Sequence, residues 1–168
     1  MMKIGFQIGE RIKSFKPSRL LYHDVVQNLN VDSNVYEYVD LDTLLAESDI
    51  LICMCSLTKE TEGIFNMKMF EKMKRSAIFI NCSRGVVVNQ TDLIQALKTK
   101  TIAAAGLDVT TPEPLPKDNE LFKLKNCFIT PHIGTCDYKL RTKMFQITTQ
   151  NILRALSGQP LISEIKFS

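Results

Sequence analysis

The feature that most constrains the fold of this chain is an alternation of short apolar runs with helical patterns. Within the runs, apolar residues stand at consecutive positions, which is typical of strands covered on both faces of a parallel sheet. Helices that join such strands build right-handed βαβ units. The runs, at residues 19–22, 49–55, 77–81, 102–109 and 127–130, predict an α/β fold with a doubly wound parallel sheet and helices on both faces.

Most helical patterns between these runs begin after a residue that caps helix N-termini well. Asp40 and Asn66 precede two of them, and Asn89 precedes a third, with Asp92 placed as in a capping box. The longest pattern stops before Gly158, a residue that suits a helix C-terminus. The predicted helices span residues 9–15, 41–47, 67–74, 92–98 and 138–156, and the C-terminal helical segment closes at 157.

The length and the net charge of the chain restrict the classes of protein to which it can belong. The 168 residues suit one domain over 1–168, because a chain of this size buries about 70% of its surface. The net charge of +3 is too low for the basic face of a nucleic-acid-binding protein. The apolar run at 50–55 is too short to span a bilayer, and the N-terminus lacks a signal-peptide core. We therefore expect a cytoplasmic protein with no nucleic-acid or membrane partner.

The five cysteines do not have the spacing of zinc ligands, so no metal site is predicted. Cys53 and Cys55 stand two positions apart in an apolar run, and on a strand they would point to the same face. We interpret the cysteines as free thiols in a reducing compartment, where disulfides are rare.

Charged side chains and a histidine lie at or just past the ends of three predicted strands. In open α/β sheets this is the end where ligands bind. Arg84, Asp108, Glu113 and His132 are far apart in sequence, yet parallel strands would bring them to one edge. Taken singly, each has a structural explanation: a surface arginine, a loop cap, a solvated carboxylate and a core histidine. Together they form a working set, since histidine with a carboxylate is a tuned acid or base and arginine binds carboxylates.

The N-terminal segment is a weaker candidate for a dinucleotide-binding turn. Residues 1–4 are interpreted as the end of a first strand, and Gly5 to Gly9 as a turn entering a helix. The spacing is G-x-x-x-G instead of G-x-G-x-x-G, and Phe6 would obstruct a pyrophosphate. Asp24 lies just past the second strand, where an acid would hold a ribose hydroxyl. An ordinary helix start and a loop aspartate explain this segment equally well.

Several ordered motifs resemble one enzyme family over the chain from about Gly5 to the C-terminus. They are INCSRGVVVN at 80–89, AAGLDV at 104–109 with PEP at 112–114, and TPHIG at 130–134. These resemble the D-isomer-specific 2-hydroxyacid dehydrogenases. The glyoxylate/hydroxypyruvate reductase branch is most similar, through CSLT at 55–58, TEG at 61–63 and AAAG at 103–106.

The resemblance implies a Rossmann-type NAD(P)-binding domain that reduces a 2-oxo acid, such as glyoxylate or hydroxypyruvate, to the D-2-hydroxy acid. Arg84 would bind the substrate carboxylate. His132, kept protonated by Glu113, would donate a proton to the carbonyl oxygen as hydride arrives from the nicotinamide. Arg84, Glu113 and His132 are thus the predicted catalytic residues. The predicted cofactor contacts are Gln7, Ile8, Gly9, Asp24, Ser56, Cys82, Arg84, Asp108, His132 and Gly134.

Members of this family carry a substrate domain before the cofactor-binding domain, with the active site between the two. We expect that domain to be absent from this chain, and the full-length form to be a homodimer. The choice between NAD and NADP is left open: Asp24 favours NAD, but His23 takes the place of the wider family's acid. The reductase branch has an arginine near the position of Val25 that would meet the 2′-phosphate of NADP.

Two other functions stay open. The chain is alternatively a non-catalytic module, a truncated paralogue that binds a cofactor or a protein without turnover. It is otherwise a truncated gene product or splice form that binds neither cofactor. The last helix and tail either expose apolar residues that the family packs on its substrate domain, or pack on the chain's own sheet. The helix residues concerned are Leu140, Met144, Ile147, Ile152 and Leu156.

Overall fold

A computed structural model describes residues 3–164 of the chain, which divides after Pro131 into two compact units. The first unit holds every strand and all helices but the last. Its helices are α1 (Lys3–Ile12), α2 (Leu41–Glu47), α3 (Met67–Lys72) and α4 (Gln90–Lys98), and its 3₁₀ turns are Lys13–Phe15, Gly85–Val87 and Glu120–Lys123. Its strands are β1 (Leu21–Tyr22), β2 (Glu37–Tyr38), β3 (Ile50–Cys53), β4 (Ile78–Asn81), β5 (Ala104–Leu107) and β6 (Cys127–Ile129). The second unit holds α5 (Tyr138–Leu156).

The strands confirm the predicted α/β class with parallel pairing throughout. Strands β3, β4, β5 and β6 form one sheet in sequence order, and β1 pairs with β2 in a separate two-stranded sheet. The five strands predicted from apolar runs exist, each shorter than its run. Strand β2 was not predicted, because two residues are too few for a recognisable pattern.

The core lies on one face of the four-stranded sheet, around Phe79 of β4. Phe79 is fully buried, and its ring packs against Phe65 and Phe70 at centroid distances of 5.0 and 5.4 Å. The expectation of strands covered on both faces is only partly correct. Ile50 and Phe128 are 56% and 72% exposed, because one begins its strand and the other lies on an edge strand.

The predicted first strand and glycine turn are wrong for the described residues. Lys3 to Ile12 form α1, so Gly5 to Gly9 are helical, and the helix begins before the predicted position 9. Met1 and Met2 lie outside the described residues. In a helix, the N–H groups of Ile8 and Gly9 point at carbonyls four residues earlier. Helix α1 therefore does not favour a phosphate cradle made from those two N–H groups.

Gly9 instead has a packing role against Tyr36. A Cβ at Gly9 would lie 2.8 Å from Cε1 of the Tyr36 ring, which is only 4% exposed. The Tyr36 hydroxyl donates a hydrogen bond to the Glu10 carboxylate, which limits how far the ring can move. The missing side chain thus lets α1 lie directly on the residue that precedes β2.

We expect Gly9→Ala to lower the free energy of unfolding by about 1 kcal/mol, measured by urea denaturation. The collision with Tyr36 costs about 2 kcal/mol, and the better helix propensity of alanine returns about 1 kcal/mol. In a Tyr36→Leu background the same substitution should stabilise the chain, since the colliding ring is gone. Destabilisation of equal size in both backgrounds would contradict this explanation.

The helix caps agree with the sequence analysis in part. Asp40 accepts the Thr43 N–H at 2.8 Å, and Asn89 accepts the Asp92 N–H at 3.2 Å, as predicted. Asn66 does not cap α3 with its side chain. The carboxylate of Asp92 takes the Met67 N–H at 3.0 Å instead, so one side chain joins the beginnings of α3 and α4.

In the second unit, α5 begins after Asp137, which accepts the Leu140 N–H at 2.9 Å, and ends before Gly158. The following tail is fastened to the helix by Asn151, whose side chain accepts the Ile162 N–H at 2.8 Å. Within this unit, apolar side chains of α5 are exposed, up to 81% at Leu156. None of the helices in the described part of the chain could cross a membrane, α5 included.

Candidate active site

The segment that carries Arg84 follows β4 and is held by a buried amide. Asn81, only 1% exposed, accepts hydrogen bonds from the Ser83 N–H at 3.0 Å and the Ser83 hydroxyl at 2.9 Å. Its Nδ2 donates to the Arg84 carbonyl at 3.0 Å. These three bonds fix the backbone on both sides of position 83. The Arg84 side chain is exposed at this turn, with one guanidinium nitrogen donating to the Ser83 carbonyl.

Gly85 brings this segment into direct contact with the segment after β5. A Cβ at Gly85 would lie 1.9 Å from the Thr110 carbonyl oxygen and 2.6 Å from the Thr111 hydroxyl. No side chain fits in that space, so glycine is required for the two backbones to approach. The predicted substrate-binding Arg84 and the segment leading to Glu113 are therefore neighbours in the structure.

The carboxylate of Glu113 is oriented by its own loop. It accepts the Thr110 N–H at 2.9 Å, while the Thr110 hydroxyl donates to the Pro112 carbonyl at 3.1 Å. Gln90, at the start of α4, accepts the Thr111 N–H at 3.0 Å. The loop that presents Glu113 is thus internally bonded and attached to a helix, which suits a residue that must hold one position.

Asp108 lies at the end of β5 among polar groups from its neighbours. It accepts a hydrogen bond from the Thr130 hydroxyl at 2.5 Å, and its N–H donates to the Asn81 carbonyl at 3.0 Å. Partial desolvation and the negative charge of Asp108 raise the pKa of the Cys82 thiol. Cys82 therefore stays protonated near neutral pH, as a neutral group on the predicted cofactor side of the sheet.

Two thiols and Ser56 lie at the end of β3 and just beyond it, since Cys53 closes the strand and Cys55 follows it. The Sγ atoms of Cys53 and Cys55 are 3.6 Å apart, so they share a face as predicted, and Cys53 also lies 3.4 Å from the Ser83 hydroxyl. The Ser56 carbonyl accepts a hydrogen bond from the Thr61 hydroxyl at 2.7 Å, which closes the following loop.

His132 and Gly134 belong to the second unit, at its very beginning. His132 is exposed and has a φ of 54°, in the left-handed region that non-glycine residues seldom occupy. Backbone strain of this kind is concentrated at functional sites. It is an independent reason to treat His132 as more than a surface histidine.

Asp24, the predicted ribose-binding acid, lies just past β1, as its position in the sequence indicated. Asp24 is half-buried, and its carboxylate accepts the N–H of Val25 at 2.9 Å. Tyr38 of β2 donates to the Asp24 carbonyl at 3.0 Å and stacks on His23. A carboxylate at the end of the first described strand fits a nucleotide ribose, while Gln7, Ile8 and Gly9 stay a prediction that helix α1 does not favour.

Three residues important for the site were not singled out from sequence: Asn81, Gly85 and Thr110. Asn81 could have been found, because an amide closing an apolar strand run needs buried partners. The roles of Gly85 and Thr110 depend on a contact between segments that are distant in sequence, which no local pattern signals.

Two surface grooves lie elsewhere on the described part of the chain. One, of about 420 Å³, is lined by α5, and the other, of about 240 Å³, is lined by residues within 18–37. Neither groove is lined by Asn81, Gly85 or Thr110.

Parallel strands with polar side chains beyond their carboxyl ends are the architecture of the Rossmann-type α/β class, whose members bind nucleotides at that edge. Residues 1–134 match the family model described as D-isomer specific 2-hydroxyacid dehydrogenase, NAD binding domain. The chain belongs to this family. It is 47% identical to the human glyoxylate reductase/hydroxypyruvate reductase, covering 98% of this chain and 50% of that protein. The chain thus spans about half the length of the curated relatives it matches.

Solved structures are similar over nearly the whole chain. D-lactate dehydrogenase of Lactobacillus jensenii, solved with NAD⁺, has a TM-score of 0.89 and 30% identity, covering 98% of this chain and 53% of that one. A 2-hydroxyacid dehydrogenase of Rhizobium etli, solved with NADP, has a TM-score of 0.80 and 30% identity, with 96% and 52% covered. The neighbours therefore include complexes with either dinucleotide, and the choice between NAD and NADP stays open.

Proposed function

We propose that the protein containing these 168 residues reduces a 2-oxo acid to the D-2-hydroxy acid with NADH or NADPH. Glyoxylate and hydroxypyruvate are the proposed substrates, from the names of similar reductases. The observation that carries the proposal is the contact at Gly85, where the segments of Arg84 and Glu113 meet beyond neighbouring parallel strands. Residues 1–168 would act as the NAD(P)-binding domain.

The proposed chemistry assigns one task to each catalytic residue. The Arg84 guanidinium binds the substrate carboxylate through paired charge-assisted hydrogen bonds, which orients the adjacent carbonyl. His132 donates a proton to the carbonyl oxygen, and in the reverse direction it accepts that proton. Glu113 holds the imidazole in its protonated form. The bound dinucleotide supplies the hydride.

The polar groups at the strand ends would hold the dinucleotide. Asp24 would accept hydrogen bonds from a ribose, and Ser56, Cys82, Asp108 and Gly134 would line the nicotinamide end. Arg84 and His132 would contact the cofactor as well as the substrate. The protein would be cytoplasmic, homodimeric in its full-length form, and free of nucleic-acid partners.

The test uses a chimaera in which this chain follows the half of the human relative that it does not match. Oxidation of NADH and of NADPH by the chimaera is measured with hydroxypyruvate as the substrate. His132→Asn should lower kcat about a thousandfold, since general acid catalysis contributes about 10²–10⁴. Asparagine tolerates a left-handed backbone, so this variant removes the imidazole without disturbing φ. Activity that survives His132→Asn would exclude the proposed proton donor.

A matched pair of arginines tests substrate binding in the same chimaera. Arg84→Ala should raise KM for hydroxypyruvate about a hundredfold, the effect of losing hydrogen bonds to a charged group. Arg75→Ala removes an exposed arginine just before β4, at the opposite end of the sheet, and should leave KM unchanged. Equal effects of the two substitutions would indicate general electrostatics and not a binding site.

The alternative of a non-catalytic module is distinguished by titrating NADH and NADPH into the 168-residue chain. Tight binding together with a chimaera that does not turn over would favour that alternative. If neither dinucleotide binds, both the reductase and the cofactor-binding module are excluded. The chain would then be a gene product without a nucleotide-binding site.

A further inference from the structure

We propose that Cys53 and Cys55 are a site of reversible oxidation, and form a disulfide within the chain by exchange with a small-molecule disulfide. The proposed reductase chemistry does not use this pair. Both sulfurs lie at the carboxyl end of β3, with Sγ atoms 3.6 Å apart. A disulfide has a sulfur–sulfur distance of about 2.05 Å, so the two sulfurs must approach by about 1.5 Å to form one.

The surroundings of the two thiols differ in a way that suits one attacking and one resolving sulfur. Cys53 is 4% exposed and ends the strand, while Cys55 lies beyond the strand and is half-buried. Of the two, Cys55 is the more accessible to a reagent from solvent, and it lies outside the ladder of hydrogen bonds that holds β3. The more accessible thiol is thus also the one whose backbone is freer to move.

The hydrogen bond between the thiols supports the same assignment. The bond from Cys53 lowers the pKa of Cys55 to about 7, so a large fraction of Cys55 is thiolate near neutral pH. The bond to Cys55 and burial raise the pKa of Cys53, which remains a thiol. The Ser83 hydroxyl, 3.4 Å from the Cys53 sulfur, gives that sulfur a second polar neighbour.

The exchange takes place in two balanced steps. The Cys55 thiolate attacks one sulfur of the small disulfide, a new S–S bond forms, and the other half leaves as a thiolate. The Cys53 sulfur then attacks the Cys55 sulfur, and the second half leaves with the Cys53 proton. Two protein thiols are oxidised, and one small disulfide is reduced to two thiols.

Trypsin separates the cysteines in a way that makes the test direct. The fragment of residues 20–59 contains Cys53 and Cys55 alone, Cys82 falls in 76–84, and the other two cysteines share 126–139. The folded chain is treated with oxidised glutathione, and its remaining thiols are alkylated with iodoacetamide. The chain is then digested with trypsin, and the masses of the fragments are measured by mass spectrometry. We expect fragment 20–59 to lose the mass of two hydrogen atoms and to resist iodoacetamide, and dithiothreitol to restore both thiols.

Two single variants distinguish the roles of the sulfurs. Cys53→Ser should trap glutathione on Cys55, because the resolving thiol is absent. Cys55→Ser should leave Cys53 unmodified, because its sulfur is buried. The wild-type digest decides the proposal even if a variant fails to fold. Two alkylated thiols in fragment 20–59, or a stable glutathione adduct on the wild type, would overturn it.

Discussion

Gly85→Ala should lower the free energy of unfolding by about 3 kcal/mol, the upper end of the usual cost of overpacking. The added methyl would stand 1.9 Å from the Thr110 carbonyl oxygen and 2.2 Å from its carbon. Both are backbone atoms, so no side-chain rotation relieves the collision. One of the two segments must move, and the hydrogen bond from the Thr110 N–H to Glu113 moves with it. Urea denaturation of the 168-residue chain measures the loss.

Gly106→Ala is the matched control for this substitution. Gly106 lies in β5, and a Cβ there meets only Ile80 Cγ1 at 3.8 Å, an ordinary van der Waals contact. We expect the unfolding free energy of Gly106→Ala to stay within about 1 kcal/mol of the wild type. If both alanine variants lose the same stability, the close approach at Gly85 is not the cause.

Asn81→Ala should lower the free energy of unfolding by about 3 kcal/mol, because it leaves several buried polar groups without their partner. The Ser83 N–H, the Ser83 hydroxyl and the Arg84 carbonyl all bond to this one side chain. In the chimaera the same variant should raise KM for hydroxypyruvate, since the turn that carries Arg84 loses its support. Urea denaturation and initial-rate kinetics measure the two effects.

Ser83→Ala gives a graded comparison on the same network. It removes only the hydroxyl that donates to Asn81, so we expect a loss of about 1 kcal/mol. Asn126→Ala is the second control, because Asn126 also holds backbone through its side chain, with two bonds donated to carbonyls, but is half-buried and precedes β6. Water can replace its bonds, and a loss as large as that of Asn81→Ala would contradict the importance of burial.

Much of the fold followed from the periodicity of the chain. The helices at 41–47 and 138–156 have the predicted bounds, since each begins at a capping aspartate and stops at an abrupt change of pattern. The prediction for the N-terminus is wrong because the spacing of Gly5 and Gly9 resembles a strand followed by a turn. An amphipathic helical pattern also runs through residues 3–12. A short segment supports both interpretations until its packing is known.

The candidate site follows from the sequence as a set of residues but not as a geometry. Arg84, Asp108 and Glu113 are predicted because each lies at or beyond the end of an apolar strand run, and parallel pairing of β4 with β5 makes the ends of their strands adjacent. The residues that support them were not found, since no local signal in the sequence marks a contact such as that of Gly85 with Thr110.

The amino-acid sequence by itself determined the α/β class and the family, and it indicated the strand ends of the candidate site, because periodicity and ordered motifs are local properties of the chain. Tertiary structure alone decided which backbone segments meet, that Asp92 caps α3, and that Cys53 and Cys55 share a hydrogen bond. These are contacts whose energies depend on distance and burial in three dimensions, and neither quantity is encoded at any single position.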